Sequence, residues 1–250
     1  MRLEQLDRVA ILRLEAGRAN VMNAATLGKL DDLLEELSQD LPGALVVTGQ
    51  GPHFSGGLDL SGLMGEDRHA MADFLKTFGA VMTRLFLFPR PVVAAINGHA
   101  IAGGCVLAMQ ADRRLMAEGD ARIGLNEVQI GVGLPTVVTE TVRCQVPPQS
   151  LFPICLEGHL FTPPGAQAVG LVDALAPPER LIPQALALAQ KLADIPSLAY
   201  QQVKQSLRRP VVDQIERFQE DDLYTWLDTW FSPDARTRIE KVLQRLAAKT

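Results

Sequence analysis

The chain of 250 residues has little cysteine, few aromatic residues and no excess of positive charge. Its three cysteines, Cys105, Cys144 and Cys155, have no CxxC spacing and cannot all pair, which argues against a disulfide framework. Its four histidines lack the spacing of metal ligands, so the sequence predicts no metal site. Because 24 Lys and Arg residues are outnumbered by 29 Asp and Glu residues, no basic surface for nucleic acid or an anionic membrane is expected.

Signals for export or membrane insertion are also lacking. Residues 1–8 are too charged for the apolar core of a signal peptide, and their acids do not suit a transit peptide. Residues 91–111 have no formal charge over a length that could span a bilayer, but polar and glycine residues at 97–99 and 103–104 interrupt them. We therefore expect a buried strand, a polar loop and a buried helix there, and we predict a soluble cytoplasmic protein without a membrane partner.

The sequence does contain a regular alternation of strand and helix patterns. Strands are predicted at 9–14, 44–48, 92–96 and 114–117, and helices at 27–37, 71–86 and 105–111. The continuous apolar run at 44–48 is typical of a strand covered on both faces, and Thr26 is the expected N-cap of the first helix. Strands that alternate with helices indicate an α/β fold.

From residue 183 the pattern changes to helices alone, which divides the chain into a core of residues 1–182 and a helical region of residues 183–250. One helical stripe consists of Leu186, Ala189, Leu192 and Ala193, and an aromatic stripe consists of Leu223, Trp226, Leu227, Trp230 and Phe231. We interpret the aromatic stripe as core or subunit interface and the basic cluster 204–209 as a solvated helix face. Ser232, Pro233 and Asp234 have the pattern that begins a last helix.

Two glycine-bearing turns follow buried strands, at 54–59 and 100–105. Glycine lets main-chain N–H groups point into a cleft, and the carboxyl ends of strands are where clefts form in α/β proteins. A pair of such N–H groups can hold an oxyanion or an enolate oxygen. Each turn alone is a weak signal, because tight packing also explains glycine.

Together the turns are specific. Residues 54–60 (FSGGLDL) and 90–105 (RPVVAAINGHAIAGGC) resemble the crotonase, or enoyl-CoA hydratase/isomerase, superfamily. The resemblance continues through 111–114 (ADRR), 123–127 (IGLNE), 160–164 (LFTPP) and 168–173 (AVGLVD), and it covers nearly the whole chain. Within the superfamily the chain looks most like the mitochondrial-type Δ3,Δ2-enoyl-CoA isomerases.

The resemblance implies a spiral of ββα units, a C-terminal helical region that builds trimers or pairs of trimers, and an acyl-CoA substrate. Coenzyme A would enter as part of that substrate, with no separate cofactor. The backbone N–H groups of Leu58 and Gly103 would form an oxyanion hole for the thioester carbonyl. The implied coenzyme A and substrate contacts are Ala19, Asn20, Gly56, Gly57, Leu58, Gly103 and Val106.

One acid is present where hydratases of the superfamily have two. The position of the first hydratase glutamate is Val106, which can neither orient water nor move a proton, whereas the second corresponds to Glu127. One carboxylate and an oxyanion hole suffice to move a double bond from C3 to C2 without consuming water, so we predict a Δ3,Δ2-enoyl-CoA isomerase of fatty acid β-oxidation. An apolar pocket around Glu127 would raise its pKa.

Other functions stay open at this stage. They are another crotonase reaction on an acyl-CoA thioester, such as hydration, decarboxylation or thioester hydrolysis, and a non-catalytic CoA-binding scaffold. Residues 131–136 depart from the hydratase pattern after the second acid, so the acyl chain length is not predicted. Glu140 lies downstream on a predicted helix, and Asp112 is interpreted as structural.

Overall fold

The computed structural model describes residues 1–248, except for the side chain of Arg18. Within these residues the strands are β1 (Arg2–Leu6), β2 (Val9–Leu14), β3 (Ala44–Gly49), β4 (His53–Ser55), β5 (Val92–Ile96), β6 (His99–Ile101), β7 (Arg113–Ala117), β8 (Ile123–Gly124) and β9 (Ala174–Ala176). The helices are α1 (Ala24–Gln39), α2 (Leu60–Leu63), α3 (Arg68–Phe86), α4 (Gly103–Met109), α5 (Thr136–Gln145), α6 (Pro163–Ala168), α7 (Pro178–Ala193), α8 (Ser197–Trp230) and α9 (Pro233–Ala247). Short 3-10 helices cover Gly17–Ala19, Glu127–Ile130 and Pro148–Ser150, and a π-helix covers Phe152–Leu156.

The strands form two sheets. The larger sheet has six strands in the order β1-β2-β3-β5-β7-β9, antiparallel between β1 and β2 and parallel from β2 onward. The smaller sheet has three parallel strands in the order β4-β6-β8. Because β4, β6 and β8 each follow a strand of the larger sheet after a short connection, the smaller sheet extends from the carboxyl ends of the larger one. Pairs of strands followed by a helix are the predicted ββα units.

Helices cover both faces of the larger sheet. On one face, α1 and α3 pack into the main apolar core. On the other face, α7 buries Leu181, Ala185, Ala189 and Ala193 against β2, β3, β5 and β7. The central strands are therefore buried on both sides, as the run 44–48 predicted. Residue 183 lies inside α7, which begins at Pro178, and the division of the chain there stays a prediction.

Two local predictions are wrong. The N-cap of α1 is Asn23, and Thr26 is the third residue of the helix. The two form a capping box, in which the Thr26 N–H donates to the Asn23 side chain and the Asn23 N–H donates to the Thr26 hydroxyl. The basic cluster is not a solvated face throughout, because Lys204 and Arg208 are 6% and 7% exposed. Both cations pair with Asp112, at 2.7 and 2.8 Å, and so their charges are compensated inside the protein.

The C-terminal helices pack on their own chain. Trp226, Leu227 and Trp230 are buried, and the two indole rings stack with centroids 5.4 Å apart, which confirms the core interpretation of the aromatic stripe. Ser232 caps α9 through the N–H of Ala235, with Pro233 at the first helical position, as predicted. Across residues 1–248 there is no helix with the length and apolar character needed to cross a membrane.

Candidate active site

The two glycine turns meet at the start of α4. Gly57 has φ +85°, and a Cβ at that position would lie 2.6 Å from the Ile101 carbonyl oxygen and 3.0 Å from the Gly103 nitrogen. A side chain at Gly57 would therefore separate the turns as well as strain the backbone. At Gly103 an added Cβ would lie 3.5 Å from the Leu58 nitrogen. Leu58 and Gly103, predicted from separate motifs, are thus neighbours.

The N–H groups of Leu58 and Gly103 have no acceptor among the residues that the structure describes. Gly103 is the first residue of α4, where helical N–H groups lack an intrahelical partner. The flanking backbone is bonded: the Met22 N–H donates to the Gly57 carbonyl and the Asp59 N–H donates to the Met22 carbonyl, both at 2.8 Å. Two adjacent, unused donors at a helix N-terminus can stabilise a negatively charged oxygen.

Ala102 holds the backbone before Gly103 in a conformation that alanine rarely adopts. Its φ is +51° and its ψ is −119°. The Ala102 N–H donates to the Gly124 carbonyl at 2.8 Å, which joins the start of α4 to β8. Strain of this kind persists where neighbouring structure enforces it, and here it lies next to an unused N–H group.

Glu127 begins the 3-10 helix that follows β8, and its carboxyl group is buried. In the described part of the chain its Oε2 atom has no hydrogen-bond partner. Burial raises the pKa of the Glu127 carboxyl to about 7, and its own backbone N–H acts in the opposite direction. Burial and then the charge of Glu127 also raise the pKa of the Cys105 thiol, so the carboxyl group lies near the first turn of α4. The Glu127 side chain therefore differs from that of an ordinary surface acid, because its Oε2 atom is buried.

Val106 lies in the first turns of α4 and is 1% exposed. Its N–H donates to the Ala102 carbonyl at 3.0 Å, which fixes it beside the strained turn. The position that corresponds to the first hydratase glutamate is therefore occupied by a buried isopropyl group. Burial disfavours the ionised form of a carboxyl, and it is the main cause of the raised pKa of Glu127.

The segment around Ala19 and Asn20 packs against the first turn. The Gly56 N–H donates to the Ala19 carbonyl at 2.8 Å, and a Cβ at Gly56 would lie 3.3 Å from the Ala19 Cβ. Asn20 is buried with φ +51°, and its side-chain amide donates to main-chain carbonyls between 50 and 54. The Asn20 side chain therefore shapes the loop, and contact of this segment with coenzyme A stays a prediction.

The C-terminal helices contact the loop after Glu127, which no motif in the sequence indicates. The Trp226 indole N–H donates to the Gly133 carbonyl at 2.8 Å, and the Gly133 N–H donates to the Thr229 hydroxyl at 2.9 Å. The loop after Glu127 is thus held by α8. Only the aromatic stripe signalled that α8 packs on the chain, and it did not indicate where.

The two other acids considered in the sequence, Asp112 and Glu140, have partners of their own. Asp112 accepts from the Val92 N–H at 2.7 Å as well as from Lys204 and Arg208, which confirms its structural interpretation. Glu140 lies on α5, as predicted, and pairs with Arg143 at 3.4 Å.

Comparison with known proteins identifies relatives along the whole chain. The sequence profile described as enoyl-CoA hydratase/isomerase matches residues 4–240. Human mitochondrial enoyl-CoA delta isomerase 1 is 29% identical over 242 residues, covering 95% of this chain and 80% of the relative. The 2,3-dehydroadipyl-CoA hydratase of Escherichia coli K12 is 34% identical over 243 residues, covering 96% and 93%. The crystal structure of human mitochondrial Δ3,Δ2-enoyl-CoA isomerase aligns with a TM-score of 0.93 at 28% identity and covers 100% of both chains, which confirms the predicted crotonase fold.

Proposed function

The chain belongs to the enoyl-CoA hydratase/isomerase family, and from this we propose that it moves the double bond of a 3-enoyl-CoA into conjugation, giving the 2-enoyl-CoA. The observation that carries the proposal concerns two side chains. Glu127 has a buried carboxyl oxygen, and the position at which hydratases have their first glutamate is occupied by Val106, which is also buried. Isomerisation needs one group that takes and returns a proton. Hydration needs in addition a group that orients and deprotonates water.

In the proposed reaction the Glu127 carboxylate takes a proton from C2 of the substrate. The electron pair of the broken C–H bond moves into the thioester, which becomes a dienolate with negative charge on its oxygen. The N–H groups of Leu58 and Gly103 donate hydrogen bonds to that oxygen. Glu127 then returns the proton to C4, the double bond re-forms between C2 and C3, and no water is consumed.

The environment of Glu127 suits this role. A general base works best when its pKa lies near the working pH, and burial raises this pKa to about 7. The absence of a hydrogen-bond partner on Oε2 among the described residues leaves that oxygen able to accept the substrate proton.

Hydration of 2-enoyl-CoA is the second candidate function. It is favoured by the 34% identity to the Escherichia coli hydratase, which is higher than the 29% identity to the human isomerase. It is disfavoured by Val106, which has no atom that can bind water or move a proton. We retain fatty acid β-oxidation, coenzyme A contact at Ala19 and Asn20, substrate contact at Gly56, Gly57 and Val106, and assembly into homotrimers as parts of the proposal.

The deciding experiment supplies the purified protein with 3-enoyl-CoA and 2-enoyl-CoA of several chain lengths. We expect conjugation of the 3-enoyl substrate and a loss of about 10²–10⁴ in rate for Glu127→Gln. Glu140→Gln is the matched control, because Glu140 is an acid nearby in sequence that pairs with Arg143, and it should stay within twofold of wild type. No conjugation by wild type, or full activity of Glu127→Gln, would overturn the proposal. Rapid hydration of 2-enoyl-CoA with no conjugation would assign the second candidate.

A further inference from the structure

The segment that carries the Leu58 N–H is held on its amino side by the two hydrogen bonds with Met22 and continues on its carboxyl side into α2, a helix of four residues. A helix of one turn cannot stabilise itself, because the cost of forming the first turn exceeds what one or two hydrogen bonds return. Its N-terminal end is held by Asp59, whose side chain accepts from the Gly62 N–H at 3.1 Å. At its C-terminal end the Met64 N–H donates to the Leu60 carbonyl at 3.0 Å, and the Met64 carbonyl accepts from a partner elsewhere in the chain.

That partner is Arg236 of α9. The Arg236 Nη1 atom donates to the Met64 carbonyl at 2.9 Å and lies 3.0 Å from the Met64 sulfur. Met64 is the C-cap of α2, where carbonyl groups lack an intrahelical donor and a cation is favoured. The guanidinium also lies 5.1 Å above the Phe231 ring, which fixes the side chain from its other side.

The same part of α9 contacts the helix that carries Glu127. Gly131, the C-cap of that 3-10 helix, has φ +79°, and a Cβ added there would lie 3.1 Å from the Ala235 Cα. Arg238 donates to the Gln129 carbonyl at 3.3 Å. The first two turns of α9 therefore connect the Leu58 segment on one side with the Glu127 segment on the other.

We propose that Arg236 is a positioning residue that, together with the Met22 hydrogen bonds, holds the Leu58 N–H beside Gly103. The inference rests on the proposed function for its catalytic consequence, although the anchoring of α2 can be measured without any reaction. Arg236 touches neither the reacting atoms nor Glu127. It acts through Met64, α2 and Leu58.

A displaced oxyanion donor slows the reaction steeply, since donors stabilise the developing charge only within about 2.7–3.1 Å. Loss of one such donor typically costs about 10²–10³ in rate, and partial displacement costs less. We therefore expect Arg236→Met to lower kcat by about tenfold to a hundredfold. The pH dependence should not move, because the surroundings of Glu127 are unchanged.

The first test measures hydrogen–deuterium exchange in the wild type, Arg236→Met, Arg236→Lys and Arg245→Met. Arg245 is the matched control, an exposed arginine in the last turn of the same helix. We expect exchange at residues 58–64 to rise about tenfold in Arg236→Met, to rise less in Arg236→Lys, which retains a donor, and to be unchanged in Arg245→Met. Unchanged exchange at 58–64 in Arg236→Met, or an equal rise throughout α8 and α9, would overturn the proposal.

The second test compares kcat, KM and the pH profile for the same four proteins with a 3-enoyl-CoA. A fall in kcat with KM within about twofold and an unmoved pH profile supports positioning, and partial recovery in Arg236→Lys strengthens it. Full kcat in Arg236→Met overturns it. Inactivity of the wild type contradicts the proposed function instead, and the exchange data then decide the anchoring of α2 by themselves.

Discussion

Glu127 keeps a carboxylate oxygen in the interior without a hydrogen-bond partner among the described residues. Such a group is costly to ionise, because burial removes the water that stabilises its charge. Burial therefore raises the pKa of the Glu127 carboxyl from 4.5 to about 7. The residue that the proposed chemistry needs most is therefore also one that makes folding less favourable at neutral pH.

The activity should follow the ionisation of Glu127. Because the base must be deprotonated to accept the C2 proton, kcat/KM for the 3-enoyl-CoA should rise with pH and level off above an apparent pKa near 7. The pH–rate profile of the wild type checks this. A limb near 4.5, the ordinary value for glutamate, would contradict the burial described for this carboxyl.

The stability should respond to the same group in the opposite sense. The folded protein binds the Glu127 proton more tightly than the unfolded chain, so stability from this group is lost as the pH rises from 4.5 to about 7. Above that window the loss amounts to about 3 kcal/mol. Glu127→Gln, which has no charge to ionise, should therefore gain in Tm relative to wild type between pH 5 and pH 8. Thermal unfolding at both values measures the gap, and a constant gap would contradict the prediction.

Ala102 is a second residue whose conformation should lower the stability of the protein. Its φ of +51° with ψ of −119° is accessible to glycine without strain. Ala102→Gly should stabilise the protein by about 1 kcal/mol, since relief of strain exceeds the extra entropy of the unfolded chain. Ala108→Gly is the matched control, at an ordinary helical position inside α4, and should destabilise by about 1 kcal/mol. Denaturant unfolding compares them, and destabilisation by both would show that Ala102 is not strained.

At the scale of elements, the long helix α8 is joined to the larger sheet by a buried ionic cluster. Asp112, at the amino end of β7, accepts from Lys204 and Arg208, and the Lys204 ammonium also donates to the Arg90 carbonyl. Arg208 lies 4.0 Å above the Phe86 ring and donates to the Phe86 carbonyl. Burial lowers the pKa of Lys204 to about 8, against the raising effect of Asp112. The charges of Lys204 and Arg208 are tolerated in the interior because the Asp112 carboxylate compensates them.

Removing that carboxylate should be far more damaging than removing an exposed one. Asp112→Asn leaves two buried cations without their counter-charge and should cost about 3–5 kcal/mol. Asp194→Asn breaks the exposed pair with Arg8, at 3.3 Å, and should cost less than about 1 kcal/mol. Denaturant unfolding of both variants checks the difference, and equal effects would mean that the buried cluster does not anchor α8.

The elements that could be predicted from sequence are those with a local signal. The apolar runs of β3 and β5, the helical spacing of α3 and the Ser232 cap of α9 each lie within one element. Strand β1 gave no such signal, because the alternation of Arg2, Leu3 and Glu4 stops at Gln5 and the exposed Leu6. Asn23 and Thr26 are both cap formers, and only the geometry of the capping box decides between them.

The site shows the same limit. Leu58, Gly103 and Glu127 could be found because each lies in a motif, and the structure brings the three segments together. The burial of Lys204 could not be found, since its partner lies 92 positions away. The Arg236 contact with Met64 spans 172 positions and involves a backbone carbonyl, which has no signature in the sequence.

At the scale of the whole molecule, the site combines segments from the first third of the chain to its last helix. Leu58, Gly103 and Glu127 follow β4, β6 and β8, the three parallel strands of the smaller sheet, and Arg236 lies in α9. Because these segments come together only in the folded chain, a substrate bound among them would raise the free energy of unfolding.

Assembly is the prediction that belongs to this scale. The resemblance implies trimers or pairs of trimers, and a single chain leaves large apolar side chains exposed on α8, with Leu198 at 81% and Leu207 at 71%. Association would remove such surface from water. Light scattering after size-exclusion chromatography should give three or six times 27.2 kDa. A mass of 27.2 kDa at micromolar concentration would contradict it.

The place of α9 along the chain also has a consequence for biosynthesis. Ribosomes make proteins from the amino end, and early segments begin to fold while later ones are still being added. The segments that contain Leu58 and Glu127 are translated well before residues 233–247, which contact both of them. The nascent protein can thus form its sheets before the helix that links these two segments has been added.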